Sequence, residues 1–262
     1  MSPLTTDDKR ERLSGALMAD DVASALWDLV DSGLADEIIP ELPALRLEQD
    51  PIHKHKDVLS HTIAVTAKTP AELRLRLAAL FHDIGKPRTR SFEHGGVTFR
   101  HHEAVGAKMT KKRLRELDYP NDVVKDVAEL VRLSGRFKGY ADGWSDSAVR
   151  RYARDAGHLL GLLNALVRSD CTTRNQRKRL ELHHHVDELE RRIADLAEAD
   201  RRAAERPLLD GQAVMDRLGL EPGPVVGQAM AFLLDLKRAE PDLDVEETGE
   251  RLDRWFAERS DA

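Results

Sequence analysis

The chain has 262 residues, of which 34% are charged and 5% aromatic, and its formal net charge is −6 at pH 7. This length can bury a sizeable core in one large or two small domains. The lone cysteine, Cys171, excludes an internal disulfide, and no apolar run approaches the ~20 residues of a membrane span. The acidic balance argues against a strongly basic nucleic-acid binder. Without a signal pattern at the N-terminus, we expect a cytoplasmic protein with no membrane partner.

Helical periodicity dominates the first third of the chain. Short helices are predicted over residues 7–18 and 21–32, and a proline-marked segment follows them. The helix predicted over 57–68 places His61 on its apolar, inward face. Pro70 is expected to open the next helix in its first turn, where a missing amide hydrogen does no harm. The apolar stripe of that helix consists of Leu73, Leu77, Leu80, Phe81 and Ile84.

A glycine turn then interrupts the helical pattern. Residues 89–92 and 97–100 flank the segment Glu93-His94-Gly95-Gly96, which predicts a small β-hairpin. Helical patterns resume afterwards, and the last of them carries Asp170 toward the core. These helices are predicted over residues 102–117, 121–133, 145–155 and 158–171. The sequence therefore predicts an all-α fold with one small β-hairpin.

A long charged helix is predicted over residues 177–205. Its apolar residues follow a heptad-like spacing until Asp200 takes the next expected position, which favours packing within this arm over a sustained coiled coil. The seam consists of Leu182, Val186, Leu189, Ile193 and Leu196. Pro207 ends the helix, and two or three further helices follow, one of them opened by Pro224.

The adjacent residues His82 and Asp83 are the strongest functional signal. They follow an apolar helix, where an unpaired carboxylate would be unfavourable unless a positive charge compensated it. A divalent ion supplies that charge at one point. His61 and Asp170 lie on the inward faces of their predicted helices, so we expect one ion held by His61, His82, Asp83 and Asp170. The mixed donor set suits manganese, nickel, magnesium, iron or cobalt.

The order of these ligands resembles the signature of the HD superfamily of metal-dependent phosphohydrolases. A narrower resemblance, to the HD portion and C-terminal body of bacterial, actinobacterial-type CCA-adding tRNA nucleotidyltransferases, covers nearly the whole chain. The similar segments are residues 45–62, 82–87, 96–99, 101–103, 170–175, 209–211, 218–220 and 222–227. The resemblance implies an HD-domain helical bundle over 51–175, preceded by neck-like helices over 1–50 and followed by a C-terminal helical arm and tail over 176–262.

Two departures from that family limit what the resemblance implies. The family's polymerase head carries a glycine-serine motif and two aspartates one residue apart, and this sequence has no such arrangement. We therefore expect the polypeptide not to add nucleotides by itself. In two-metal HD enzymes, histidines at the positions of His102 and Ser134 hold a second ion. Because a serine stands at one of these positions, a single ion is the expectation.

The positions of the residues around the ion suggest further roles. Lys86 is expected to offer a cation to a phosphate oxygen, assisted by Arg88, and either Asp83 or Glu103 to take a proton from water. His102 and Ser134 are expected beside the metal ligands or the substrate. Other histidines have a simpler interpretation, as solvated residues or supports of the ligands. These are His53, His55, His101 and the run His183-His184-His185.

A weaker signal concerns RNA. Arg174, Arg177 and Lys178 form a basic cluster, and the amides that follow Gly223 at a predicted helix start could hold a phosphate. For the basic cluster a solvated helix start is the favoured explanation, and packing alone also accounts for the helix start after Gly223.

Two functions follow as hypotheses. The first is a stand-alone metal-dependent phosphohydrolase, a phosphodiesterase or phosphatase acting on nucleotide or RNA-end phosphates, as the resemblance implies for 2′,3′-cyclic phosphates and phosphomonoesters. The second is a tRNA-binding body whose nucleotidyltransferase head is absent or separate, with a structural or silent HD site.

Overall fold

The computed structural model describes residues 3–47, 57–93 and 96–260 of the chain. Helices make up 73% of the structure, and the strands in the described ranges form one antiparallel pair, so the predicted all-α fold is confirmed. Four residues named in the sequence analysis lie outside these ranges: His53, His55, His94 and Gly95. The predictions made for them are therefore not tested. The elements are α1 (Thr6–Met18), α2 (Val22–Asp31), α3 (Leu34–Ile38), α4 (Val58–Lys68), α5 (Leu73–Phe81), α6 (Lys86–Thr89), β1 (Ser91–Glu93), β2 (Gly96–Thr98), α7 (His102–Glu116), α8 (Asn121–Leu133), α9 (Asp146–Ala156), α10 (Leu160–Asp170), α11 (Gln176–Ala204), α12 (Gly211–Leu218), α13 (Pro224–Ala239) and α14 (Val245–Ser260).

The chain divides into two compact units, residues 1–193 and 194–262. The predicted division into segments 1–50, 51–175 and 176–262 stays a prediction. None of the helices in the described part of the chain is both long and apolar enough to cross a membrane.

Helix α5 occupies the centre of the first unit. It packs against α1, α4, α8 and α10, so nearly every side chain along it is buried. Burial on all sides explains why the helix lacks a polar face. The buried apolar residues are Leu75, Leu77, Ala78, Ala79, Leu80 and Phe81. The chain therefore leaves α5 inside the bundle, and His82 and Asp83 emerge there.

The start of α5 differs from the prediction. Pro70 precedes the helix, which begins at Leu73. Glu72 caps it, because its carboxylate accepts a hydrogen bond from the Leu75 amide at 2.5 Å. The N-cap of α5 is therefore Glu72, in an extended conformation, and Pro70 lies before the helix and not in its first turn.

The hairpin that follows is shorter than predicted. Thr89 belongs to α6, and β1 begins at Ser91, which pairs with Thr98. The side chain of Thr89 explains why this residue belongs to the helix. Its hydroxyl donates to the Gly85 carbonyl at 3.1 Å, and this bond closes the short turn of α6.

The first half of α11 belongs to the first unit and contacts α10, contrary to the packing within an arm that we predicted. Val186 and Leu189 on its seam are fully buried. Beside them, Arg168 of α10 donates to Glu190 at 2.8 Å and to Asp187 at 2.6 Å. These bonds hold the middle of α11 against α10.

The second unit has a small core of its own. Helices α12, α13 and α14 contact one another in this unit, and Pro224 opens α13 as predicted. The fully or nearly buried residues of this core are Leu209, Val214, Ala229, Leu233 and Leu252.

Candidate metal centre

Three helices bring the predicted ligands to one place in the first unit. His61 lies on α4, His82 caps the C-terminal end of α5, Asp83 follows it, and Asp170 ends α10. His102 begins α7 on the same side. The predicted ligand residues therefore meet even though more than 100 residues separate the first from the last.

Three side chains form a cluster with the geometry of a metal site. His61, His82 and Asp83 each present one ligand atom, and these atoms all lie within 4.8 Å of one another. Oδ2 of Asp83 is 3.3 Å from Nε2 of His82 and 3.8 Å from Nε2 of His61. Such separations are too long for good hydrogen bonds yet short enough for shared coordination.

Asp170 adjoins this cluster but is not the buried acid that we predicted. Its side chain is 46% exposed, because it stands at the last residue of α10. Oδ1 nevertheless lies 3.0 Å from Nε2 of His61 and 3.6 Å from Nε2 of His82. The carboxylate thus closes the cluster from the solvent side.

Hydrogen bonds behind the rings set their orientation. Nδ1 of His82 lies 2.6 Å from the Ala79 carbonyl and can only donate to it, so Nε2 carries the lone pair when the ring is neutral. Nε2 of His82 is buried and has no hydrogen-bond partner among the described residues. A buried, unpartnered imidazole nitrogen beside a carboxylate that is 2% exposed fits a bound divalent cation.

The electrostatics of the cluster favour a positive charge at its centre. Burial alone would lower the pKa of His82, but the negative charges of Asp83 and Asp170 outweigh it and raise the pKa to about 10. Burial would raise the pKa values of both carboxylates, whereas the positive charge of His82, with Lys86 at Asp83 and the His61 hydrogen bond at Asp170, lowers them. A divalent ion would provide the charge that the His82 proton otherwise supplies.

Lys86 forms a buried ion pair with Asp83. Its ammonium is buried and donates to Oδ2 of Asp83 at 2.7 Å, and it lies 5.6 Å from the centre of the Phe99 ring. The lysine thus holds the carboxylate in place. The predicted contact of Lys86 with a phosphate stays a prediction.

A cavity of about 500 Å³ opens over these groups. Its wall is formed by His61, His82, Asp83, Lys86, Phe99, Arg100, His101, His102, Glu103, Ser134, Gly135, Lys138 and Asp170. The predicted neighbours His102, Glu103 and Ser134 all reach it. Nε2 of His102 lies 3.5 Å from Oδ1 of Asp83. Ser134 donates its hydroxyl to the Val131 carbonyl at 2.9 Å.

Glu103 is a carboxylate on the cavity wall that is not part of the metal cluster. Its oxygens lie 3.4 Å from Nζ of Lys138 and 3.4 Å from Nδ1 of His102. Burial would raise its pKa, but hydrogen bonding to a backbone amide and the charges of His102 and Lys138 lower it. Burial lowers the pKa of His102. At neutral pH the cavity therefore holds an ionised Glu103.

Two cationic residues of the cavity were missing from the prediction. Arg100 and Lys138 lie in loops, where no periodic pattern marks a side chain as inward. The predicted Arg88 is exposed on α6 and is not among the described residues that form the wall. The only sequence signal for Arg100 was its position beside His101 and His102.

The predicted RNA contacts are on the surface of each unit. Arg174, Arg177 and Lys178 are exposed at the start of α11 in the first unit. Gly223 caps α13 in the second unit. His184 is exposed as predicted, whereas His185 is half-buried and lies 6.1 Å from the ring of Tyr140. The role of these residues in RNA binding stays a prediction.

Comparison with known proteins agrees with this geometry. The family model described as HD domain matches residues 58–214. The A-adding tRNA nucleotidyltransferase of Deinococcus radiodurans is 34% identical over 259 residues, which are 95% of this chain and 58% of the relative. The CC-adding tRNA nucleotidyltransferase of Thermus thermophilus is 34% identical over 86% of this chain and 51% of the relative. The chain spans about half the length of these curated relatives. Because the family model covers more than half of the chain and spans all four residues of the cluster, the chain belongs to the HD domain family.

Proposed function

We propose that the chain is a metal-dependent phosphohydrolase acting on phosphoesters of nucleotides or RNA ends. The observation that supports this function most directly is the buried, unpartnered Nε2 of His82 beside the carboxylates of Asp83 and Asp170. HD domains are metal-dependent. The printed names of the relatives describe enzymes that add nucleotides to tRNA, which supports a nucleotide or RNA substrate.

His61, His82, Asp83 and Asp170 would hold one divalent ion: manganese, nickel, magnesium, iron or cobalt. A bound ion orients and polarises a phosphate and lowers the pKa of water. Ser134 argues for a single ion, because its hydroxyl is directed to the Val131 carbonyl. A histidine at that position would add a second nitrogen ligand near His102.

Glu103 is the residue that we propose to accept the proton from water. Asp83 is less suited, since Lys86 binds one of its oxygens at 2.7 Å and His102 lies 3.5 Å from the other. Glu103 is ionised and lies on the cavity wall. As water attacks phosphorus, the bond from phosphorus to one ribose oxygen breaks and that oxygen takes up a proton. A 2′,3′-cyclic phosphate thus becomes a phosphomonoester with a free hydroxyl.

The phosphate itself needs cations. Lys138 and Arg100 lie on the cavity wall and can reach phosphate oxygens. Lys138 is 74% exposed and only 3.4 Å from Glu103, so it can turn toward a substrate without breaking a strong bond. Lys86 would act through Asp83, which it holds.

The test compares hydrolysis with and without an intact ligand set. We expect purified protein to contain about one divalent ion and to hydrolyse adenosine 2′,3′-cyclic phosphate. Asp83→Asn should lose both, because an amide is a poorer ligand and does not compensate the ion's charge. Asp20→Asn is the matched control, since Asp20 is exposed and outside the cavity. No hydrolysis with any of the five metals, or full activity in Asp83→Asn, contradicts the proposal.

The second candidate function is a tRNA-binding body that works with a separate nucleotidyltransferase head. It is favoured by the similarity to tRNA nucleotidyltransferases over 95% of the chain. On this alternative the protein binds tRNA tightly and in a salt-sensitive way while hydrolysing none of the phosphoesters. Measuring hydrolysis and tRNA binding on the same preparation separates the two functions.

A further inference from the structure

A second cavity adjoins the metal centre in the first unit. Its volume is about 460 Å³, and it shares Ser134, Lys138 and Asp170 with the first cavity. The two cavities therefore meet at these three residues. A ligand that places one end at the metal centre can extend directly into the second cavity.

The second cavity has an aromatic wall. Phe137 stacks on Tyr140 with ring centres 5.3 Å apart and planes 20° apart. Both rings line the cavity, as does His185, whose ring lies 6.1 Å from Tyr140. The wall thus differs in chemistry from the carboxylate and imidazole groups of the metal centre.

Tyr140 is packed more completely than Phe137, whose ring contacts are the stacked Tyr140 and the ring of Trp144 at 6.4 Å. Tyr140 is 4% exposed and is held by Trp144, whose ring centre is 5.3 Å away, and by Arg192, whose guanidinium lies 5.9 Å from the ring. Phe137 is only partly buried and stands where this cluster ends at the cavity. An aromatic ring supported from behind and open to a cavity is the arrangement that stacks on a flat ligand.

The lysines around the second cavity favour a ligand that carries a negative charge. Lys138 lies between the two cavities, and Lys178 lines the second one. A flat ring attached to a phosphate satisfies both the aromatic wall and these cations. A volume of about 460 Å³ is within the range of small-ligand sites.

We propose that the second cavity binds the base of the nucleotide whose phosphate lies at the metal centre, with Phe137 as the stacking face. The inference rests on the proposed phosphohydrolase function and names a further part of its substrate site. Stacking makes few demands on base identity, so the cavity accepts both purines and pyrimidines. It distinguishes a nucleotide from a sugar phosphate.

Binding measurements test the base contact without relying on catalysis. Isothermal titration calorimetry should show that adenosine 5′-phosphate binds about tenfold more tightly than ribose 5-phosphate, since stacking of one base contributes about that factor or more. Phe137→Leu keeps an apolar side chain but removes the ring, and it should abolish the difference. Phe137→Tyr keeps the ring and should preserve it.

Phe92→Leu is the matched control. Phe92 is 73% exposed on β1 and lines neither cavity. Thermal unfolding of all variants shows whether the replaced ring was needed for folding. If Phe137→Leu proves unstable, the comparison of the two ligands on the parent protein and on Phe137→Tyr still decides the question.

Kinetics separate failure of this inference from failure of the proposed function. We expect Phe137→Leu to raise KM for adenosine 2′,3′-cyclic phosphate about tenfold relative to Phe92→Leu, with a smaller change in kcat. Metal-dependent hydrolysis with equal binding of the two ligands overturns the base site alone. Absence of hydrolysis, with tight binding of adenosine 5′-phosphate that is lost in Phe137→Leu, overturns the phosphohydrolase and leaves the base site.

Discussion

A hydrogen bond on the far side of each imidazole decides which nitrogen faces the cavity. His82 donates from Nδ1 to the carbonyl of Ala79, and Nδ1 of His102 lies 2.8 Å from the carbonyl of Phe99. In both cases the acceptor is three residues earlier in the chain. Local backbone geometry therefore presents Nε2 to the site in both rings, before any ion binds.

Gly135 makes room for Glu103. A Cβ atom on Gly135 would lie 2.2 Å from Oε1 of Glu103, the far end of a flexible side chain. Gly135→Ala should therefore turn the carboxylate away while leaving the free energy of unfolding nearly unchanged. Because a general base contributes about 10²–10⁴-fold, we expect hydrolysis of adenosine 2′,3′-cyclic phosphate to fall at least about tenfold.

Gly161→Ala is the control for this substitution, since nothing lies within 4 Å of a Cβ there. Rates and thermal unfolding should be measured on both variants. An unchanged rate in Gly135→Ala would show that Glu103 is not the proton acceptor.

Ser134 allows a gain-of-ligand experiment. It lines the cavity, and His102 lies on the same wall. Ser134→His should supply a second imidazole there and raise the number of bound ions from one toward two, with a changed metal preference. Metal analysis after dialysis and hydrolysis across the five metals provide the readout. An unchanged ion content would mean that the position does not reach a second metal.

The clustering of His61, His82 and Asp83 was predictable from the sequence, whereas the cavity cations Arg100 and Lys138 were not. His61, His82 and Asp83 lie on or directly after apolar helices. A polar side chain buried there is unfavourable unless a partner compensates it, so these residues indicate a site. Lys138 is a surface-type residue in a loop, and its sequence pattern is that of any solvated lysine. Only the folded chain shows that the loop after α8 turns it toward the cavity.

At the level of elements, the close approach of α6 and α7 builds one wall of the site. A Cβ atom on Gly85 would lie 2.1 Å from the carbonyl oxygen of His102 and 2.8 Å from the amide nitrogen of Gly106. Both neighbours are backbone atoms, so they cannot turn aside. Glycine is required here for proximity rather than for backbone conformation, because its φ is −76°.

Gly85→Ala should therefore push α7 away and move His102. Overpacking of this kind lowers the free energy of unfolding by about 1–3 kcal/mol. Gly15→Ala on α1 is the matched control, since the space around it is open and alanine should raise the free energy of unfolding by about 0.5–1 kcal/mol. Urea unfolding measures both changes. Equal stability of the two variants would contradict the close approach.

Periodicity predicted helices better than it predicted their partners. The regions of α7, α8 and α11 were placed within two residues, because each has a long amphipathic pattern. The seam on α11 showed that one face of this helix is apolar, but not which surface covers it. The structure places α10 beside this helix, through the bonds of Arg168 to Asp187 and Glu190, and a pattern within one helix contains no information about such a contact with another helix.

At the level of the whole molecule, the proposed hydrolysis site lies within one unit, whereas the predicted RNA contacts lie on both units. Every residue of the metal centre and of both cavities precedes residue 193, within the first unit. The helix start at Gly223 belongs to the second unit, whose core is separate. Damage to the second core should therefore leave the chemistry of the first unit intact.

Leu233→Ala tests this separation. Leu233 is fully buried in the second core, and its truncation should lower the stability of that unit by about 2–5 kcal/mol. We expect ion content and hydrolysis of adenosine 2′,3′-cyclic phosphate to stay at the parent level. Binding of tRNA should weaken if the second unit contributes to it.

Leu77→Ala, equally buried on α5 in the first unit, is the matched control and should reduce ion content and hydrolysis. Calorimetric unfolding with and without manganese shows which transition each variant lowers and which one the ion raises. Loss of ion binding in Leu233→Ala to the same degree as in Leu77→Ala would mean that the two units fold as one cooperative body.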